Sequence, residues 1–196
     1  SSAASDVYKR QGPDIRQQLL PLGLKRIDAL LITHTHSDHV AGLDDLRAFY
    51  WPDRIDLQIH TTALHGNAVK ARFPYLFEKQ PDSPSYFVPP MKTNDIEPGQ
   101  QLAIGDISVD VFHQDHGNTT SLGFMFNERF AYSTDVVGLG DDVLDRIAGV
   151  PLWIVEALRE TPHQAHSHYD QTFDWIDRVK PERAVLTHLG LEADYE

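Results

Sequence analysis

No cysteine occurs in the 196 residues. That excludes disulfide bonds and thiolate metal ligands, so any bound metal must sit on His, Asp or Glu. No apolar run approaches the roughly 18 residues of a membrane-spanning helix, and runs such as ALLI at 29–32 are strand-sized. Basic residues are few: 17 Lys and Arg stand against 29 Asp and Glu, a formal net charge of −12. A broad nucleic-acid-binding face needs clustered cations to displace counterions, so neither nucleic acid nor membrane is expected as a partner. The acid excess reads as a solvated surface, and an anionic substrate would need a local positive centre, which metal ions could supply. What is abundant is histidine, with eleven.

The length and a hydrophobic fraction of 41% suit one domain with a real core. The first eleven residues, SSAASDVYKRQ, carry no apolar period and join abruptly to GPDIRQQLLPLG. They resemble the in-frame translation of a sequencing-adapter oligonucleotide, so residues 1–11 are left out of fold reasoning. The domain is placed at 12–196, as a fragment incomplete at both termini.

Residues 14–22 read as a short helix and 28–34 as a strand buried on both faces. A helix over 42–51 is stopped by Pro52, and a strand at 56–62 precedes a helix near 63–71. The aromatic, Pro-rich stretch 72–99 reads as an irregular loop or short hairpin. Alternation marks strands at 107–113, 121–126 and 130–134; a buried strand at 151–157, a helix at 169–180 and a strand at 183–188 follow. The interleaving predicts an α/β fold with a mixed sheet. Strands repeatedly end in His or Asp: at His34, at His113 to His116, at Asp135 and at His188. Side chains at adjacent strand ends converge on one sheet edge.

The densest of these ends is LITHTHSDHVAGLDDL, residues 31–46. His34 and His36, two apart, can grip one divalent ion from an extended loop. Asp38 and His39, adjacent, can grip a second. Two ions about 3.5–4 Å apart would activate a water and clamp the attacking and leaving oxygens of a phosphoester. H-x-H-x-D-H is expected by chance only about 0.004 times in a chain of this composition. Further ligands can come from His116 in HQDHGNTTSLGF, Asp135 in YSTDVVGL and His188 in VLTHLG. Taken singly, His116 and His188 would be ordinary histidines and Asp135 a turn or cap residue.

In this order the motifs resemble the metallo-β-lactamase superfamily. More narrowly, GPDIRQQLL, THTHSDHVAGLDDLR, HGNTTSLGF, YSTDVVGL and KPERAVLTHLG look like the branch that contains the phosphodiesterase PhnP. The resemblance implies an αβ/βα four-layer sandwich of two mixed sheets. It implies His34, His36 and His116 on one ion, Asp38, His39 and His188 on the other, and Asp135 between them, the ions being Zn²⁺ or Mn²⁺. It also implies a catalytic histidine about 22 residues before the last ligand, which falls on His166 in TPHQAHSHYD, with His163 and His168 close by. With Asp38, His166 makes the catalytic pair, protonating the leaving oxygen or holding the phosphate.

His60, His65 and His113 read as structural. Arg159 could grip a phosphate, but a surface ion pair is the plainer expectation. The expected activity is a binuclear metal-dependent phosphodiesterase on a small cyclic phosphate or nucleotide-like ester. The alternatives are a lactone, β-lactam or thioester hydrolase, a tRNase Z-like nuclease, and a non-catalytic metal-binding domain. A small phosphorylated substrate, a cytoplasmic setting and either a monomer or a homodimer complete the expectations.

Overall fold

The computed structural model describes residues 7–8, 14–191 and 193, and these fall into two compact units. The first runs up to Glu97 and includes Ile104–Asp106; the second holds Pro98–Ala103 and the residues from Ile107 onward.

In the first unit, β1 (Val7–Tyr8) is followed by α1 (Ile15–Leu19), which tightens into a 3-10 turn over Leu20–Leu22 and stops at Gly23. Gly23 has φ 60°, the left-handed conformation that ends helices and that glycine adopts without strain. Next come β2 (Ala29–Leu31), α2 (Ser37–Val40), α3 (Leu43–Leu46), β3 (Leu57–Thr61), α4 (Ala63–Arg72), α5 (Pro74–Phe77) and β4 (Met91–Asp95). The sheet order is β1-β2-β3-β4, and every described pair is parallel. The two sheets are those of the expected α/β fold; among the described residues this one is parallel because helix-containing crossovers join β2, β3 and β4 and return the chain in the same direction. Leu30, Ile32, Leu43, Leu46 and Ile59 form its core with Ile15 and Leu76.

Two sequence readings change here. Residues 7–8 take part in the fold, pairing with Ala29 and Leu30, whereas the rest of 1–11, together with Gly12 and Pro13, lies outside the described residues. The stretch 72–99 holds a helix and a strand rather than only a loop. β4, MKTND, escaped notice because its composition is polar and its burial falls mainly on Met91.

The second unit contains β5 (Gln101–Ile104), β6 (Ile107–His116), β7 (Thr119–Phe126), β8 (Phe130–Ser133), α6 (Asp141–Arg146), β9 (Leu152–Glu156), α7 (Tyr169–Val179) and β10 (Arg183–Thr187). Its sheet order is β10-β9-β8-β7-β6-β5. This sheet is mixed: β10, β9 and β8 run parallel, and β7 is antiparallel to both β8 and β6. Strands β6, β8, β9 and β10 therefore point the same way and end at one edge. Trp153, Val155, Ile147 and Val179 pack with Phe112 in its core.

Candidate active site

The first unit presents the H-x-H-x-D-H segment at the end of β2. Parallel pairing continues past the strand, since Ile32 N–H donates to the His60 carbonyl at 3.1 Å and Thr61 Oγ1 donates to the Ile32 carbonyl at 3.0 Å. The chain then turns, and His36, with φ −63° and ψ 153°, caps α2, so Asp38 and His39 fall on its first turn. Arg72 holds this loop from α4 by donating to the Thr35 carbonyl at 3.2 Å. His34 and His39 are buried while His36 and Asp38 are exposed. The His34 ring lies 4.5 Å from that of His36 and 4.3 Å from that of His39. His39 Nε2 stands 3.1 Å from Asp38 Oδ2. All four expected ligands of this segment are thus gathered on one short loop and helix, with buried His65 6.5 Å behind His34.

The second unit gathers the rest. Its shared edge carries His116 at the end of β6, Asp135 two residues beyond β8, Glu156 at the end of β9 and His188 just after β10. Asp135 and His188 have φ of 54° and 56°, left-handed values that side chains with a Cβ rarely adopt. Thr134 Oγ1 donates to Asp135 Oδ2 at 2.8 Å, and Ser121 Oγ donates to the Asp135 carbonyl at 2.8 Å. His116 Nδ1 donates to the Ala165 carbonyl at 2.7 Å, which turns Nε2 to within 3.7 Å of Asp135 Oδ1. His188 Nε2 stands 3.9 Å from the same oxygen.

The residue that the sequence reading missed is Glu156. Its carboxylate is wholly buried, and one oxygen, Oε1, accepts from His166 Nδ1 at 2.6 Å and from His188 Nδ1 at 2.5 Å. The other, Oε2, accepts from the Val136 N–H at 2.6 Å. Ser167 and Thr172 hydroxyls both donate to its carbonyl. A lone acid closing the apolar strand PLWIVEA was the available signal, because a fully buried Glu is rare unless it is paired. His166 lies in this cluster, on the loop between β9 and α7. Ligand-type atoms of Asp135, Glu156, His166 and His188 all lie within 4.8 Å of one another.

The donor set fits a divalent ion. Nitrogen and oxygen ligands at about 2.0–2.2 Å from one ion stand about 3–4 Å apart, as His116 Nε2 and His188 Nε2 stand from Asp135 Oδ1. Each of these rings has its Nδ1 tied behind it, the usual support for a metal-binding imidazole. The direct contacts of Glu156 leave no space for an ion between it and the two rings, so it orients them. Nearby, His163 sits 4.9 Å from His166, ring to ring. Burial, then the neighbouring His166 and Arg159, push its imidazole below the usual range. Arg159 makes no ion pair among the described residues, contrary to expectation; it donates to the carbonyls of Thr161 and Pro162. Partly buried His60 is likewise lowered, by desolvation, and lies within β3.

Comparison with known proteins agrees with this chemistry. The family described as Beta-lactamase superfamily domain matches residues 11–189. An octanoyltransferase of Porphyromonas gingivalis is 30% identical over 182 residues, covering 92% of this chain. The chain spans only 36% of that relative's length. A ribonuclease Z of a Mycobacterium species (strain KMS) is 28% identical over 220 residues, covering 94% of this chain and 75% of the relative. Among solved structures, a diphosphatase of the PhnP family superposes with a TM-score of 0.88 at 25% identity, covering 100% of this chain and 73% of that one.

Proposed function

Because the chain belongs to the Beta-lactamase superfamily domain family, we propose that it is a hydrolase, a binuclear metal-dependent phosphodiesterase acting on a small cyclic phosphate or nucleotide-like ester. In this reading His34, His36 and His116 would hold one ion, Asp38, His39 and His188 the other, and Asp135 would serve both. When bound, a pair of Zn²⁺ or Mn²⁺ ions supplies an activated water at neutral pH and neutralises charge on the phosphoryl oxygens. The protein's own residues do the rest. Asp38 helps to orient the attacking water, and His166 gives a proton to the departing oxygen. Glu156 fixes the tautomer of His166 by taking its Nδ1–H, so that Nε2 is the nitrogen that faces substrate.

The observation that carries this reading is the single carboxylate oxygen shared by His166 and His188. It ties a proton-donating ring to a ligand ring beside Asp135. Expulsion of an alkoxide from phosphorus calls for such a donor. The PhnP-family likeness supports phosphorus over carbon as the reacting centre. The ribonuclease Z relative supports the same bond type, while the net charge of −12 speaks against a long RNA.

The test is hydrolysis of bis-p-nitrophenyl phosphate beside a lactone and a thioester, after EDTA treatment and reloading with Zn²⁺ or Mn²⁺. Diester turnover restored by either ion, with about two ions per chain, is expected. His166→Ala should lower kcat by about 10²–10⁴-fold with metals per chain unchanged. Turnover of the carbonyl substrates alone would refute the proposal.

A further inference from the structure

Gln114 is wholly buried in β6, on the strand face that also carries Phe112 and His116. Glutamine is mostly an exposed residue, because its amide leaves water only where its hydrogen bonds are replaced. Here both amide hydrogens find acceptors and the oxygen finds no donor. Nε2 donates to Ser121 Oγ at 2.9 Å, directly across the strand pair, and to the Thr134 carbonyl at 3.0 Å. Oε1 is buried without a hydrogen-bond partner among the described residues. The oxygen has room because position 123 is glycine, where a Cβ would stand 2.6 Å from it.

An apolar side chain of similar size would remove this orphaned acceptor and fill the same space, offsetting the two bonds lost. The amide therefore adds direction rather than core stability, and its bonds converge on the turn at Asp135. Ser121 has one hydroxyl hydrogen, which goes to the Asp135 carbonyl at 2.8 Å. The Thr134 carbonyl, 3.4 Å from that hydroxyl, is left to Gln114. These two carbonyls belong to the peptide planes on either side of the Asp135 Cα, and the rotations of those planes about it are its φ and ψ. One linked pair of side chains thus holds both planes while Asp135 keeps its left-handed φ of 54°. Val136 N–H, bonded to Glu156 Oε2 at 2.6 Å, holds the second plane at its other end. Rotation of either plane would swing the carboxylate away from His116 Nε2 and His188 Nε2, which stand 3.7 and 3.9 Å from its Oδ1.

We propose that Gln114 is a positioning residue for the metal centre: through Ser121 and the Thr134 carbonyl it holds the Asp135 turn in the conformation that aims this carboxylate at His116 and His188. The inference rests on the reading of Asp135 as the shared metal ligand and goes beyond it, since both amide hydrogens of Gln114 are committed to the turn and none is offered to ion or substrate.

Gln114→Met keeps the size and drops the amide. Its Tm should stay within a few degrees of the parent's, while its affinity for Zn²⁺, read by competition with a chromogenic chelator, should fall about tenfold or more. In the EDTA-treated protein, hydrogen exchange of the Val136 and Val137 amides should be at least about tenfold faster than in the parent, with Trp153 and Val155 in β9 within about twofold. Ser121→Ala cuts the same link by a smaller change; it should lower the affinity at least about threefold with the same local pattern of exchange, and it decides the matter by these two measurements if Gln114→Met does not fold. A lower Tm with Zn²⁺ affinity within about twofold of the parent's, or exchange that quickens evenly across the sheet, overturns the proposal in favour of a merely structural glutamine. If the parent itself takes up no metal, the metal-dependent reading falls and exchange alone decides: quickening confined to the turn supports the hold of Gln114 on it, and parental rates overturn it.

Discussion

Replacing Glu156 by Gln tests the geometry most directly, because the side chain keeps its size and loses only its second acceptor and its charge. The carboxylate now accepts three N–H groups, from His166, His188 and Val136, at 2.5–2.6 Å. An amide has one oxygen. If that oxygen faces the two rings, the amide NH₂ is driven against the Val136 N–H; if it faces Val136, both rings lose their acceptor. Hydrogen bonds to charged groups are worth about 1.5–3 kcal/mol against about 0.5–1.5 for neutral ones, and a buried unsatisfied donor costs about 1–3 kcal/mol. Weakening two bonds and orphaning one donor therefore amounts to about 3–5 kcal/mol. Part of that should appear as a lower Tm and the rest as misdirected imidazoles. We expect Glu156→Gln to lower kcat/KM on bis-p-nitrophenyl phosphate about 10²-fold or more. It should also weaken metal binding about 10- to 100-fold through His188, read by competition with a chromogenic chelator. A variant within threefold of the parent in both quantities would refute the claim that this carboxylate orients the rings.

Two further outcomes follow from the fold. Gly123 lies directly opposite Phe112 on β6, and a Cβ at this position would run into the Phe112 ring and come within 2.6 Å of Gln114 Oε1. Gly123→Ala should cost about 1–3 kcal/mol by overpacking and lower the Tm by several degrees in a calorimetric scan; an unchanged Tm would show that the strand has room. His60 is lowered from 6.5 by desolvation, so the unfolded chain takes up its proton more readily than the folded one. Its effect on stability is nil well above pH 6.5 and becomes a loss as pH falls through 6.5 toward the folded-state value. His60→Gln should flatten the decline in unfolding free energy between pH 7.5 and 5.5 in urea titrations; an identical slope would remove His60 as a cause.

Much of this architecture was legible because apolar periodicity and ligand spacing are local signals. The strands around Leu30, Ile59, Val111, Phe124 and Trp153 announced themselves by burial, and H-x-H-x-D-H announced its own chemistry. The polar strand β4 and the four-residue β5 did not, since their pairing comes from neighbours rather than composition. α6 over Asp141–Arg146 is only six residues and too short to show a period. Glu156 was invisible as a site residue because its meaning depends on His166 and His188, ten and thirty-two residues away. Arg159 was misjudged for the opposite reason. A surface arginine ordinarily finds a carboxylate, and only the loop's carbonyls show that this one did not.

The left-handed turns at Asp135 and His188 are steric debts of about 1–2 kcal/mol each, met by the surrounding sheet when the chain folds. A cation bound by these side chains, as proposed, would find their direction already chosen and would spend little of its affinity on reshaping the main chain. Glycine at either position would relax the fold and slacken its grip in the same stroke.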